Sequence, residues 1–189
     1  MLKEIVTGTT DAIVAAVQGV DDILTAVANT VKHQVVNVLQ GTGEVGGTAV
    51  ESVASVASGA VKGAGQVGAS VTDVVFHTIS GVVHGVSEVG GDVIGAIRSA
   101  VKGAVSTTAE VGGDVGQAAV KGVEGAIKAA GEVGADTSEA AKAAVGGAME
   151  AATEVGGDTA GKVREALLSA AALPRDVIES ALKGSDDKK

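Results

Sequence analysis

A repeat of 22 residues is the feature of this sequence that most limits what it can fold into. Six segments related to Glu-Val-Gly-Gly-Asp begin at residues 43, 65, 87, 109, 131 and 153. Self-similarity at such a period is typical of arrays in which each unit packs against its neighbours. The sequence therefore predicts an N-terminal helical cap (1–42) with a heptad-like start and a degenerate repeat, six repeats (43–174), and a short C-terminal helix with a charged tail (175–189).

Three positions of the repeat carry the same small residue in almost every copy. The third position of each segment is valine, and we predict that these valines form an apolar seam: Val45, Val67, Val89, Val111, Val133 and Val155. The next position is glycine: Gly46, Gly68, Gly90, Gly112, Gly134 and Gly156. A second glycine series follows later in the unit: Gly59, Gly81, Gly103, Gly125 and Gly147. Because small residues let backbones approach closely, we predict that both glycine series mediate helix packing.

The spacing of apolar residues indicates an all-α protein. Apolar positions step by 4, 4 and 3 residues, as in Val89, Val93, Ile97 and Ala100. This 11-residue pattern corresponds to about 3.67 residues per turn, close to the natural α-helix. It predicts one very long, near-continuous amphipathic helix that is straight or supercoiled to the right. From residue 11 to 173 such a helix would span about 240 Å.

A solenoid of shorter helices is the alternative. In it the Gly-Gly-Asp boundaries are turns, and the aspartates that follow are helix N-caps: Asp92, Asp114, Asp136 and Asp158. We favour the continuous helix because the apolar phase continues across the Gly pairs and no repeat boundary contains Pro. At the far end Pro174 is expected to break the helix, and Asp176 to cap the last one.

The glycine content indicates that such helices cannot stand alone. Each Gly costs roughly 1 kcal/mol relative to Ala in a helix interior, so the repeats are penalised by roughly 20 kcal/mol in total. Close packing against other apolar surfaces offsets this penalty. The predicted apolar arc is also wider than a two-stranded seam needs. We therefore expect a multi-helix assembly.

Composition excludes several classes of function. A net charge of −9 argues against nucleic acid as a partner, since binding there requires clustered Lys and Arg. The chain has no cysteine, so disulfides and thiol chemistry are excluded. We recognise neither a signal peptide nor an uninterrupted apolar membrane span, and therefore expect a cytoplasmic or peripheral membrane location.

The candidate chemical groups form no convincing catalytic or binding site. His77 and His84 are seven residues apart but lack an evident ligand set, so we interpret them as surface histidines. The glycine strings contain no phosphate-loop signature. The repeated Glu/Asp pairs, such as Glu88 with Asp92, are more consistent with a solvated face than with a cation site. We predict no catalytic residues, no cofactor and no metal, and hence a protein that is not an enzyme.

The 11-residue periodicity resembles that of hendecad coiled coils and of the lipid-surface helices of synucleins and perilipins. The strings VVHGVSEVGG (Val82 to Gly91) and VKGVEGA (Val120 to Ala126) are similar to synuclein repeats. This resemblance implies an amphipathic helix that binds lipid. It departs in charge, because this chain carries Glu and Asp where synuclein repeats carry Lys.

Two functions follow from these patterns. The first is a structural protein that assembles with copies of itself into a fibre, tube or bundle through the two glycine series. The alternative is a peripheral protein whose wide apolar arc coats a lipid or granule surface. A stress-protecting role is a weaker third interpretation, because the apolar content is high.

Overall fold

The computed structural model describes residues 20–42, 47–67 and 69–186. Within these ranges the only regular secondary structure is α-helix. In chain order the helices are α1 (Val20–Thr42), α2 (Gly47–Val67), α3 (Val71–Glu88), α4 (Val93–Glu110), α5 (Val115–Glu132), α6 (Thr137–Val155), α7 (Thr159–Ser169) and α8 (Arg175–Asp186). Each 22-residue unit thus contributes one helix and one turn.

The helices form two packed rows. Each helix packs most extensively on the next-but-one helix in the chain, so that α1, α3, α5 and α7 form one row and α2, α4, α6 and α8 form the other. Consecutive helices pack across the two rows. Because each turn is short, consecutive helices run in opposite directions, and the helices within a row run in parallel. The core lies between the rows.

The repeated turn combines a helix C-terminal motif with a helix N-cap. At the end of α3, Gly90 has φ +69°, which breaks the helical path, and the Gly91 N–H donates to the Val86 carbonyl at 2.9 Å. This is a Schellman motif, in which glycine is favoured because the left-handed conformation is strained for other residues. Asp92 then begins α4 by accepting a hydrogen bond from the Gly95 N–H at 3.0 Å. The same arrangement recurs after α4 and α5.

The prediction of one continuous helix is therefore wrong, and the solenoid alternative describes the packing. The spacing of the apolar residues agrees with a continuous helix for a geometric reason. The helices α3, α4 and α5 each have 18 residues, which is about five complete turns, so each ends on the face where it began. The four-residue connection has nearly the length of one further helical turn. The spacing in sequence thus stays in phase although the chain reverses direction.

The predicted N-caps behave as expected at three of four positions. Asp92, Asp114 and Asp136 each accept hydrogen bonds from the first turn of the following helix, whereas Asp158 precedes α7 without a side-chain capping bond. Asp176 lies inside the first turn of α8 and is not its N-cap, because the helix already begins at Arg175. The acidic side chain still lies near the positive end of the helix dipole.

Small side chains fill the core. Most of the buried apolar residues are Val or Ala, and the largest fully buried side chains include Ile79, Ile97, Leu167 and Ile178. The predicted degenerate repeat contributes Val27, Val31 and Val35 of α1, all of which are buried. The heptad-like stretch ahead of it lies mostly outside the described residues. At the other end, α8 buries Ile178 and Leu182 and packs on α6.

Candidate interaction site

The second glycine series lies where parallel helices of one row touch. A Cβ atom added to Gly103 of α4 would lie 2.7 Å from the carbonyl oxygen of Ala54 in α2. The same substitution at Gly125 would bring a Cβ to 2.7 Å from the Phe76 carbonyl oxygen. Gly81 and Gly147 likewise face the backbone of the preceding helix in their row, and Gly59 is buried in α2. These contacts occur within one chain, so the close helix packing expected between copies is supplied by neighbouring repeats.

The first glycine series does not pack helices together, and that prediction is corrected. Its described members occupy the turns with φ between +69° and +82°: Gly90, Gly112, Gly134 and Gly156. No atom would lie within 4 Å of a Cβ added at any of them. Backbone conformation, and not close contact, therefore selects glycine here. Gly46 and Gly68 lie outside the described residues.

The predicted valine seam is also corrected, because these residues lie at helix ends. Val89, Val111 and Val133 are the C-caps of α3, α4 and α5, and Val155 is the last residue of α6. Val67 ends α2, and Val45 lies outside the described residues. Because the chain reverses direction after each of these valines, they cannot form one apolar stripe.

Two of these valines are exposed at the same edge of the array. Val111 and Val155 are 36% and 43% exposed and are the exposed large apolar side chains in the part of the chain that the structure describes. They lie at the C-terminal ends of α4 and α6, which run in parallel, so these two ends lie side by side. A Cβ added to Gly65, near the end of α2, would lie 3.6 Å from the Val111 side chain, which places the end of α2 beside that of α4. We call the ends of α4 and α6 with the turns that follow them, residues 110–114 and 154–158, the valine edge.

Ion pairs link parallel helices within each row. Lys32 of α1 pairs with Glu88 of α3 at 2.7 Å, and Lys102 of α4 pairs with Glu154 of α6 at 2.6 Å. The acidic partners lie in the last turns of their helices, where the helix dipole disfavours negative charge. A cation from the neighbouring helix compensates for this. The hydrogen bond and charge of the Lys32 ammonium lower the pKa of the Glu88 carboxyl.

The pair between α3 and α5 uses different side chains. His84 Nε2 lies 3.2 Å from a Glu132 carboxylate oxygen, while His84 Nδ1 lies 2.8 Å from the Ser80 carbonyl oxygen. The Lys128 ammonium lies 5.5 Å from the centre of the Phe76 ring. His77 and His84, which the sequence predicted to be surface residues, are both only partly exposed. The pairing of His84 with Glu132 joins two helices of a row and was not predicted from the sequence.

Burial and the nearby Lys128 charge lower the pKa of His77, against the opposing effect of Asp73. His77 is on the same helix as Asp73 and contacts the Phe76 ring edge-on, with ring centres 5.2 Å apart. Over the described ranges, no three His, Asp or Glu side chains converge in a way that could hold a metal ion. The same ranges contain no helix that is both long and apolar enough to cross a membrane.

Two rows of parallel helices, antiparallel to each other, joined by repeated capped turns and packed through one small residue per unit, define an α-helical repeat protein. Among solved structures, the chain is similar to the crystal structure of the de novo designed helical repeat protein DHR7, with a TM-score of 0.54 and 17% identity. That match covers 98% of this chain and 97% of the designed one. No protein-family model and no curated protein matches the sequence. The likeness to DHR7 therefore supports the fold alone.

Proposed function

We propose that this chain is a non-enzymatic structural protein that associates with copies of itself through the valine edge. The exposure of Val111 and Val155 at the ends of adjacent, parallel helices carries the proposal. Removing apolar surface from water stabilises association by roughly 25 cal/mol per Å². The glycine backbone beside these valines is open, since Cβ atoms added to Gly112 or Gly156 would meet no neighbours within 4 Å.

The linear arrangement of these turns favours contact between the same edges of two copies. A two-fold axis would set each exposed valine against an equivalent edge of the other copy, which is the commonest symmetry of homo-oligomers. Such a contact closes into a dimer. A fibre or tube requires a second, different contact that does not close.

Charge at the valine edge predicts how association depends on salt. Glu110 and Asp114 flank the turn after α4, and Glu154 and Asp158 flank the turn after α6. Like charges brought together by two copies repel each other, and salt screens this repulsion over about 10 Å at 0.1 M ionic strength. Association is therefore expected to strengthen as salt concentration rises.

Burial of the apolar residues favours a protein partner over lipid. In the described helices the wide apolar arc lies between the two rows, with residues such as Val56, Val82 and Ala104 fully buried. A lipid or granule coat would require the rows to separate and expose this core. Self-association through the edge leaves the fold unchanged.

Sedimentation velocity over a wide range of protein and salt concentrations tests the proposal, with negative-stain microscopy to reveal larger assemblies. Wild-type protein is expected to form dimers or larger species, and the double variant Val111→Glu/Val155→Glu to remain monomeric. Lys128→Glu, at an exposed position near the end of α5 and thus at the opposite edge of the array, is the charge-matched control and should associate like the wild type. A wild-type chain that stays monomeric throughout would refute the proposal.

A further inference from the structure

One side of α2 is buried although no described helix of its row lies against it. This side is formed by residues three or four positions apart, all of them buried: Ser52, Val56, Gly59 and Gly63. Within the described ranges, α2 packs on α4 of its own row and on α1 and α3 of the other row. We call these four residues the outer side of α2.

The repeat indicates what the outer side faces. Two repeats later, the corresponding positions of α4 are Ala96, Ala100, Gly103 and Thr107. Gly103 faces the Ala54 backbone of α2, which is the preceding helix of the row. The corresponding glycine of α6, Gly147, faces the backbone of α4 in the same way. Gly59 therefore faces away from α4, toward the place of a helix that precedes α2 in its row.

The first helix of the other row is different at these positions. One repeat before α2, the corresponding positions of α1 are Thr30, Gln34, Asn37 and Gly41, and none of them is buried. A polar outer face of this kind is what a terminal repeat needs in order to stay soluble. The outer side of α2 instead has small residues that are covered. Its sequence and its burial are those of a helix inside a row.

We propose that residues 1–19 pack as a helix on the outer side of α2 and begin its row. Consecutive helices belong to different rows, so a helix directly before α1 belongs to the row of α2. From Ser52 to Gly63 the outer side is about 16 Å long. The segments 43–46 and 187–189 are too short to cover it, whereas a helix of residues 1–19 is about 28 Å long. Because the structure contains a single chain, no second copy is needed to bury Gly59.

The apolar pattern of residues 1–19 fits this place. Ile13 and Val17 are four residues apart and therefore share one side of a helix. Thr7 and Gln18 lie on the opposite side of the same helix. The first pair would extend the core between the rows, and the second pair would face water. At Gly59 the absence of a side chain would let the two backbones approach closely, as it does at Gly103.

Thiol accessibility tests the proposal, because the natural chain has no cysteine. In the full chain, Ser52→Cys should react with a maleimide at least about tenfold more slowly than Ser55→Cys, which is not buried, since buried thiols are inert. Adding Ile13→Asp/Val17→Asp should abolish this difference by detaching the segment. The matched variant Thr7→Asp/Gln18→Asp should preserve it. Ala140→Cys, at the corresponding buried position of α6, should stay unreactive throughout.

A distance measurement needs no destabilising substitution. Spin labels on Gln18→Cys and Lys62→Cys should lie within about 25 Å of each other in a narrow distribution, because packed helices are 8–10 Å apart. This distance decides the matter if Ile13→Asp/Val17→Asp also exposes Ala140→Cys and has thus unfolded the array. A broad distribution centred beyond about 40 Å would overturn the proposal.

The other outcomes distinguish the occupants of the outer side. Rapid reaction of Ser52→Cys in the full chain would show that the side is open and would overturn the proposal. Protection that disappears on dilution would assign the side to a second copy. Protection that survives Ile13→Asp/Val17→Asp unchanged would exclude residues 1–19. The variant Val111→Glu/Val155→Glu should leave all of these rates unchanged, so failure of the valine edge would not affect this result.

Discussion

The neighbouring glycines of α6 offer the sharpest test of close packing within a row. Gly146 and Gly147 are both helical, so alanine gains about 1 kcal/mol of helix propensity at either position. A Cβ added to Gly146 would lie 3.6 Å from the Arg98 guanidinium group, an ordinary contact with a movable side chain. We therefore expect Gly146→Ala to stabilise the protein by about 1 kcal/mol.

The same substitution at Gly147 should have the opposite sign. The added Cβ would lie 3.2 Å from the Lys102 backbone nitrogen and would also collide with the Arg98 carbonyl oxygen. Neither backbone atom can rotate away, so α6 must shift from α4. Overpacking of this kind typically costs about 1–3 kcal/mol. After subtraction of the propensity gain, we expect Gly147→Ala to destabilise by up to about 2 kcal/mol.

Urea unfolding followed by far-UV circular dichroism measures both effects. Because the two substitutions are chemically identical and adjacent, their difference isolates the contact between helices. In thermal unfolding, each 1 kcal/mol corresponds to a shift of roughly 2–4 °C for a chain of this size. If both variants were stabilised equally, the two helices would not be in backbone contact and the reasoning would be wrong.

Three further predictions concern capping, the core and pH. Asp92→Ala should destabilise by about 0.5–2 kcal/mol in urea unfolding, whereas Asp158→Ala, which removes no capping bond, should have little effect. Thr78→Val should stabilise the protein by about 1–2 kcal/mol because the buried Thr78 hydroxyl has no hydrogen-bond partner. Thr108→Val should not stabilise it, because that substitution removes the 2.8 Å hydrogen bond that the Thr108 hydroxyl donates to the Ala104 carbonyl. The lowered pKa of His77 means that the unfolded chain binds more protons as pH falls through 6.5, so stability should decrease below that pH. His77→Gln should flatten this part of the pH profile, and an unchanged profile would argue against the assigned pKa shift.

The sequence was sufficient to predict the repeat, the all-α class and the need for close helix packing. It also contained the signals for the turns, since glycine followed by aspartate is the expected order of a C-terminal motif and an N-cap. The four-residue spacing from Val89 to Val93, however, also fits a continuous helix, and the prediction followed that spacing. Period alone could not decide between the two folds, because five helical turns and a four-residue reversal preserve it.

The interaction surfaces were less predictable than the fold. Exposure of Val111 depends on which edge its turn occupies, and that depends on the direction of α4 in the array. The alignment of Val111 with Val155 depends on the parallel packing of α4 and α6, which are not consecutive in the chain. A single sequence contains no signal for such proximity. To predict these surfaces, one would first need to know that each helix packs on its next-but-one neighbour.

The packing of each helix on its next-but-one neighbour has a consequence for how the chain can change length. Insertion of one 22-residue unit would place every following helix in the other row and reverse its direction. The exposed valines would then lie at the opposite edge relative to α1. Insertion of two units restores both row and direction and lengthens the array by about one interhelical distance, 8–10 Å. The sequence repeats with every helix, but the molecule can grow without rearranging its surfaces only by helix pairs.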